Sequence, residues 1–284
     1  MHVVSLTPSG TLEVSAASGC VVRDGRVFVI ADDDPHLWAF SLNGTRLDRR
    51  RLLPGVMPAD AKERKAVKPD LEALALLPDG GLLALGSGSS PRRRRGALFR
   101  DDKVTVVDCT ELFTALEQQF EALNIEAAVV VGDQLVLGQR GNGPGQQNAL
   151  VRLTLADVLR GLERGELGSW AIEGIETLDL GELDGVALTL TDLALSLEGE
   201  LHFSAAAEDT SDPYLDGACA GSIIGVLGPR GVVRRSRVAP LSKIEGLAQL
   251  DADRWVMVAD ADDPTVPAQL LLASANALRG PLQV

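Results

Sequence analysis

Cysteine and histidine are scarce, with three of each in 284 residues. Cys20, Cys109 and Cys219 cannot all pair with one another, and each stands alone in the sequence. That excludes a disulfide framework and any regular spacing of thiolate metal ligands, so buried free thiols are expected. His2, His36 and His202 lack the HExxH spacing of a zinc site, and "GSGSS" at 86–90 lacks the G-x-S-x-G order of a nucleophile elbow. No apolar run approaches the roughly 20 residues that cross a bilayer. The opening "MHVVSLTPSGTLEVSA" has no basic segment leading into a continuous apolar one. A cytoplasmic location is therefore expected, although a trimmed secreted chain would read the same. Positive charge is also in short supply, with 27 Lys and Arg against 40 Asp and Glu and a net charge of -13. Nucleic acid is excluded as a partner on that ground, because phosphate binding is driven by Lys and Arg. A small molecule, or a ligand carrying positive charge, is the expected partner. The local exception is "SPRRRRG" at 90–96. Its guanidinium groups suit a phosphate or carboxylate, but a solvated loop between two strands is the plainer expectation.

What the chain does have is repetition. Hydrophobic residues at 45% and charged residues at 24% describe a folded chain. Acid-led apolar strands begin at Glu72, Glu126, Asp192 and Glu245, in "DLEALALLPDGGLLALGS", "NIEAAVVVGDQLVLGQ", "LTDLALSLEGELHFSA" and "KIEGLAQLDADRWVMVAD". An earlier copy, "SAASGCVVRDGRVFVIADDDP", aligns Ala17 with Glu72 through the turns Asp24-Gly25 and Asp79-Gly80, so the first repeat lacks the acid. Each copy gives a strand, a tight turn, a second strand, a polar loop and a third strand, and most give a fourth. Four antiparallel strands in roughly 50 to 65 residues is the period of a propeller blade. The expected fold is all-β: a single-domain β-propeller over 1–284 with repeats starting near 17, 70, 124, 190 and 243. Five four-stranded blades are the first choice and six the alternative. The last copy has room for three strands, and the N-terminal "HVVSL" is expected to supply its fourth and close the ring. Short helices are expected at 110–123, with Thr110 as N-cap, and at 154–167, whereas the polar insert at 54–70 is expected to be a loop.

In a propeller the first strand of each blade lies nearest the axis, so Glu72, Glu126, Asp192 and Glu245 are expected to crowd one end of the channel. The loop after each second strand opens on that same face. It brings Asp32 from the first blade, Arg140 and Asn142 from the third, Glu208 and Asp209 from the fourth, and Asp260 and Asp262 from the fifth. Four buried ionised carboxylates repel unless compensated. A hard cation held by the four axial acids would compensate, and calcium, with its six to eight oxygen ligands, is the expected ion. Pairing with Lys68, Lys243 and Arg140 would serve equally, and the two alternatives stand level. Of the histidines, His36 is the better catalytic candidate, since His202 sits on a strand between Leu201 and Phe203.

The blade openings "KIEGLAQL", "DLEALALLPDGGLLALGS" and "NIEAAVVV" resemble the esterase-like phytase propellers, and also several bacterial propeller families whose function is uncharacterised. The resemblance covers roughly residues 68 to 274. It implies a calcium-assisted hydrolase of phosphate or carboxylate esters. The axial acids would bind metal, one free carboxylate would act as base, and Arg140 or Lys243 would stabilise the developing anion. The alternative is a non-catalytic propeller that binds a ligand or a protein on its acidic face.

Overall fold

The computed structural model describes residues 1–58, 60–141, 147–209 and 218–279, without the side chains of residues 61, 62, 65, 209 and 218. Two short strands open the chain, β1 (His2–Ser5) and β2 (Thr7–Thr11). Blade one follows with β3 (Ala17–Arg23), β4 (Arg26–Ala31), β5 (Asp34–Phe40) and β6 (Arg46–Arg51), and then helix α1 (Ala61–Val67). Blade two holds β7 (Leu71–Leu76), β8 (Leu82–Gly86), β9 (Arg95–Arg100) and β10 (Lys103–Asp108). Helix α2 (Thr110–Leu116) leads into blade three: β11 (Ile125–Val131), β12 (Gln134–Gln139), β13 (Asn148–Thr154), helix α3 (Leu155–Arg164) and β14 (Ile172–Leu178). Blade four has β15 (Glu182–Leu183), β16 (Val186–Leu195), β17 (Leu201–Asp209), β18 (Ala218–Gly228) and β19 (Gly231–Ala239). Blade five has β20 (Lys243–Gln249), β21 (Arg254–Asp260) and β22 (Gln269–Ser274), followed by α4 (Ala275–Leu278).

The sheet orders give five blades, each counted outward from its innermost strand. Burial explains the composition of the strands. β8 is buried along its whole length and reads LLALG, because a blade's inner strands are covered on both faces by neighbouring blades. The outermost β6 reads RLDRRR and is largely exposed. The turns between the two inner strands of blades one to four each use positive φ, as at Asp24 (φ 52) and Gly25 (φ 70). Apolar side chains gather into five clusters, one at each of the five junctions between blades. A closed ring of five has just that many junctions, and the sixth-blade alternative falls away. The long interval before blade four is taken up instead by α3, β14 and the β15–β16 hairpin.

Several details depart from the sequence expectations. The ring is closed by Thr7–Thr11, which pairs antiparallel with β22, while His2–Ser5 from "HVVSL" pairs parallel with β19 at the edge of blade four. The closing strand carries Gly10 where a Cβ would meet the Asn43 carbonyl oxygen at 2.3 Å, so glycine is required where this strand passes the turn after β5. Cys109, one residue before Thr110, is the N-cap of α2, and that helix ends at Leu116. The insert at 54–70 is not all loop. Asp60 accepts from the Glu63 N–H (2.9 Å) and starts α1.

The innermost strands carry a shared irregularity. Each has a register slip, near the strand's start in four blades and midway along β16: between Ala17 and Gly19, Leu71 and Ala73, Ile125 and Ala127, Leu190 and Asp192, and Ile244 and Gly246. The bulged residues are therefore Ser18, Glu72, Glu126, Thr191 and Glu245. Two repeats in the sequence alignment are thus one residue out of step. Ser18, not Ala17, corresponds to Glu72, and Thr191, not Asp192, corresponds to Glu126. A bulge leaves one residue unpaired and re-aims its side chain, which is how a strand inside a blade can point a polar group at the ring's interior.

Candidate functional site: the charged mouth of the channel

Five bulges in five inner strands place three carboxylates and two hydroxyls around one end of the channel. The hydroxyls serve the ring itself. Ser18 donates to the Leu71 carbonyl, and Thr191 donates to the Ile244 carbonyl at 2.7 Å. In both cases the acceptor is the residue just before the bulged glutamate of the next blade, so the hydroxyls tie adjacent blades together. The glutamates Glu72, Glu126 and Glu245 are left to interact with charge.

Two basic residues meet Glu126 and Glu245. Lys243, at the start of β20, places its ammonium 2.7 Å from Glu208, 3.0 Å from Glu245 and 2.7 Å from Asp262. Arg140, just beyond β12, donates through Nε to Thr189 (3.1 Å), binds Glu208 and lies 3.6 Å from Glu126. Asn124 also donates to Glu126. Together they connect blades three, four and five. On the other side, Lys68 joins Asp32 of blade one to Asp70 of blade two, the second at 2.9 Å. Arg64 reaches Asp33 at 2.9 Å, and Arg93 reaches Asp70 at 2.9 Å. Ser87 donates to Asp70 as well. Asp70 holds this position with a left-handed backbone (φ 56), which aspartate tolerates better than most residues.

Burial dominates the electrostatics. It pushes the carboxyl of Glu72 well above its ordinary value, and the charges of Glu126, Asp70 and Asp32 push it further while Lys68 opposes them. Glu126 is raised to about 7 by burial, against the pull of Arg140. Glu245 is raised by burial, with Lys243 and Arg140 opposing. Asp260 is raised to about 7 by burial and by Asp262 beside it. Glu208 shows the opposite balance: burial would raise it, but Arg140 and Lys243 hold it below the usual range. Lys68, Lys243 and Arg140 overcome their own burial and are held firmly protonated by the surrounding acids. Glu72 differs from its counterparts, for among the described residues it has neither a hydrogen bond nor an ion pair. Its carboxyl is the unengaged one at the mouth.

Of the residues expected at the site, Glu72, Glu126, Glu245, Asp32, Glu208, Asp260, Asp262, Lys68, Arg140 and Lys243 come together here. Asp192 does not join them at the bulge position. It is buried one residue further along and accepts from the Leu193 (2.8 Å) and Leu247 (2.7 Å) backbone N–H groups, linking blades four and five. Burial raises its carboxyl well above the ordinary value despite those two donors. His36 lies on β5 beside Trp38 with its Nδ1 2.6 Å from the Asp34 carboxylate and 3.1 Å from the Arg49 guanidinium, away from the glutamates. Its imidazole is lowered, first by burial. His202 is buried against Trp255, and burial lowers it to about 4. Asn142 lies outside the described residues, as does the side chain of Asp209. Sequence reasoning missed Asp70, Arg64 and Arg93. Asp70 left a signal, standing two residues before Glu72 in "KPDLE".

Asp32, Asp70 and Glu72 each offer an oxygen within 4.8 Å of the others. Calcium–oxygen distances are about 2.3–2.6 Å, so two ligands of one ion lie at most about 5 Å apart. The triad has that spacing, and Lys68 already places a positive charge on two of its members.

Comparison with known proteins adds the fold and a family pattern. The pattern of a family of unknown function (DUF6929) matches residues 13–274. No curated protein matches the chain. Among solved structures, Myxococcus xanthus glutaminyl cyclase is similar at a TM-score of 0.55 and 13% identity, over 96% of this chain and 99% of that one. A gluconolactonase from Xanthomonas campestris gives 0.46 and 11%, over 95% and 89%. The Cps50 (Swd1) β-propeller domain of Myceliophteria thermophila gives 0.41 and 13%, over 93% and 72%. At such identities the likeness is one of fold. No helix among the described residues is long and apolar enough to cross a membrane.

Proposed function

The chain belongs to DUF6929, a family of unknown function, and from the charges it carries we propose that it binds a positively charged ligand at the channel mouth, with calcium the first candidate. One observation carries this: among the described residues carboxylates outnumber cations there, and Glu72 stands among them with no hydrogen bond or ion pair. Nine acids (Asp32, Asp33, Asp70, Glu72, Glu126, Glu208, Glu245, Asp260 and Asp262) meet five bases (Arg64, Lys68, Arg93, Arg140 and Lys243). Bringing one more positive charge to this mouth relieves repulsion that the protein otherwise relieves by keeping carboxyls protonated. Asp32, Asp70 and Glu72 would hold the ion, in place of the Glu72, Glu126, Asp192 and Glu245 set expected from sequence. Lys68 is then an internal competitor for two of the three ligands.

Ester hydrolysis, which the phytase resemblance implies, is the second reading. What favours it is Glu126, a carboxyl near 7 beside a guanidinium and close to the unengaged Glu72. Such a group can take or give a proton near neutral pH. Bound calcium would supply polarisation of an ester oxygen. Lys243 is engaged by three acids, and Arg140 by Glu208, Glu126 and the Thr189 hydroxyl, so in this reading they brace Glu126 and Glu245.

Calorimetric titration of calcium into chelator-treated protein, with melting curves in parallel, tests the proposal. Saturable binding and a raised melting temperature are expected, lost in Glu72→Gln and strengthened in Lys68→Met. Absence of binding in both the native protein and Lys68→Met overturns the calcium assignment. Hydrolysis of phosphate esters or lactones would show a pH profile turning near 7 that Glu126→Gln removes while calcium still binds.

A further inference from the structure

The arginine run "SPRRRRG" divides between two sites. Its 3-10 turn (Pro91–Arg93) sends Arg93 inward to Asp70 at the mouth. Arg92, Arg94 and Arg95 instead line a separate cleft of about 720 Å³ between the segment after β6, the end of α1 and the outer strands of blade two. That volume lies within the range of small-molecule sites. The other walls are mostly apolar but include Asp108 and Thr110, and three of the valines are uncovered: Val56 at 90% exposure, Val67 at 40% and Val106 at 45%.

The three guanidinium groups are unequally engaged. Arg92 donates to the Ala66 carbonyl (3.2 Å), and Arg94 binds Thr114 (3.0 Å) and Glu117. The guanidinium of Arg95, the first residue of β9, has no hydrogen bond or ion pair among the described residues, and its Nε, like that of Arg94, is buried without an acceptor. Asp108 stands opposite Arg95 in the β9–β10 register, but its carboxylate accepts from the Thr110 N–H (2.8 Å), and bonding to Thr110 keeps it ionised below its ordinary range. A buried N–H without an acceptor is costly, and a guanidinium fork fits the two oxygens of a carboxylate or phosphate. We infer that this cleft binds a small organic anion, a phosphate monoester or carboxylate joined to an apolar group. Its anionic end meets Arg95 and Arg92, and its apolar part lies against Val56, Val67 and Val106. The site is distinct from the mouth and opposite to it in charge.

Phenyl phosphate and inorganic phosphate, titrated calorimetrically into the full chain at low salt, are the test. Phenyl phosphate is expected to bind saturably with one site, about tenfold tighter than inorganic phosphate because of the ring's burial. Added salt should weaken both. Arg95→Met is expected to weaken phenyl phosphate by at least about tenfold. Should that variant fail to fold, Arg92→Ser, at a more exposed position, decides the matter with an expected loss of several-fold and an unchanged melting curve. The inference is overturned by lack of saturation, by equal affinity for the two anions, or by binding undiminished in the folded arginine variants.

Discussion

Replacing Lys243 with methionine keeps most of the side chain's volume and removes the charge that three carboxylates share. Glu208 at 2.7 Å, Glu245 at 3.0 Å and Asp262 at 2.7 Å lose a common partner. Glu208 keeps Arg140, but Glu245 is buried and, among the described residues, has no other cation in contact. Breaking a buried pair by removing one partner costs about 3–5 kcal/mol. For a domain of this size each kcal/mol corresponds to about 2 °C, so the melting temperature should fall by about 6–10 °C at pH 8. The pH dependence follows from the sign of the shift. Glu245 already has a raised carboxyl, and losing Lys243 raises it further. An acid whose folded pKa lies above its unfolded value makes the folded state bind more protons, so stability falls as pH rises from the unfolded value through the folded one. The deficit should therefore be smaller at pH 5, where the orphaned carboxyl is protonated, than at pH 8. Urea denaturation at the two pH values measures both quantities. A loss under about 1 kcal/mol at pH 8, or a larger loss at pH 5 than at pH 8, would refute the claim that Lys243 holds buried charge together. Adding Glu245→Gln to Lys243→Met should recover part of the loss.

Asp260→Asn should flatten the decline in native stability between about pH 4 and pH 7, because the native carboxyl is raised to about 7; chemical denaturation across that range measures it, and an unchanged slope would contradict the assignment. Ser18→Ala and Thr191→Ala each remove a hydroxyl that bonds the next blade's carbonyl and should cost about 1 kcal/mol, measured by urea midpoints at constant slope. Gly88→Ala should destabilise by about 1–3 kcal/mol, since φ there is 75 and the new Cβ would lie 2.8 Å from the Phe113 ring; thermal melting detects the loss, and a neutral outcome would place Phe113 elsewhere.

The blades were legible because two kinds of signal agreed. Apolar runs such as LLALG mark strands covered on both faces, and Asp-Gly turns at fixed offsets mark hairpins. Helix α3 was legible from its amphipathic spacing, although it stops at Arg164, short of the expected 167, where Gly165 takes the left-handed cap. The bulge register was not. Hydrophobic pattern fixes which residues face inward, but a one-residue slip at Ser18 or Thr191 swaps one small polar residue for a neighbour and leaves the apolar count unchanged. Aligning on the acid therefore chose Asp192. Helix α1 was hidden for another reason: "AKERKAV" is seven residues without an apolar stripe, and an isolated helix of that length is not stable. Its end is tied down by Arg64 to Asp33 and Lys68 to Asp32, contacts that sequence periodicity does not encode. Asp70 and Arg93 meet across loops for the same reason.

The pairing of β2 with β22 also sets a timetable. During synthesis β2 emerges among the first strands, and its partner only after four blades have been made. Until then blade five has no sheet for β2 to join. Glu245, Lys243 and Asp262 all belong to that last blade, while their partner Glu208 belongs to the fourth. Much of the mouth's charge is therefore neutralised only when blade five forms. A ribosome-bound chain stalled before β20 would carry Glu126, Arg140 and Glu208 but lack Lys243, so the ion pairs on that side of the mouth are completed only with closure of the ring.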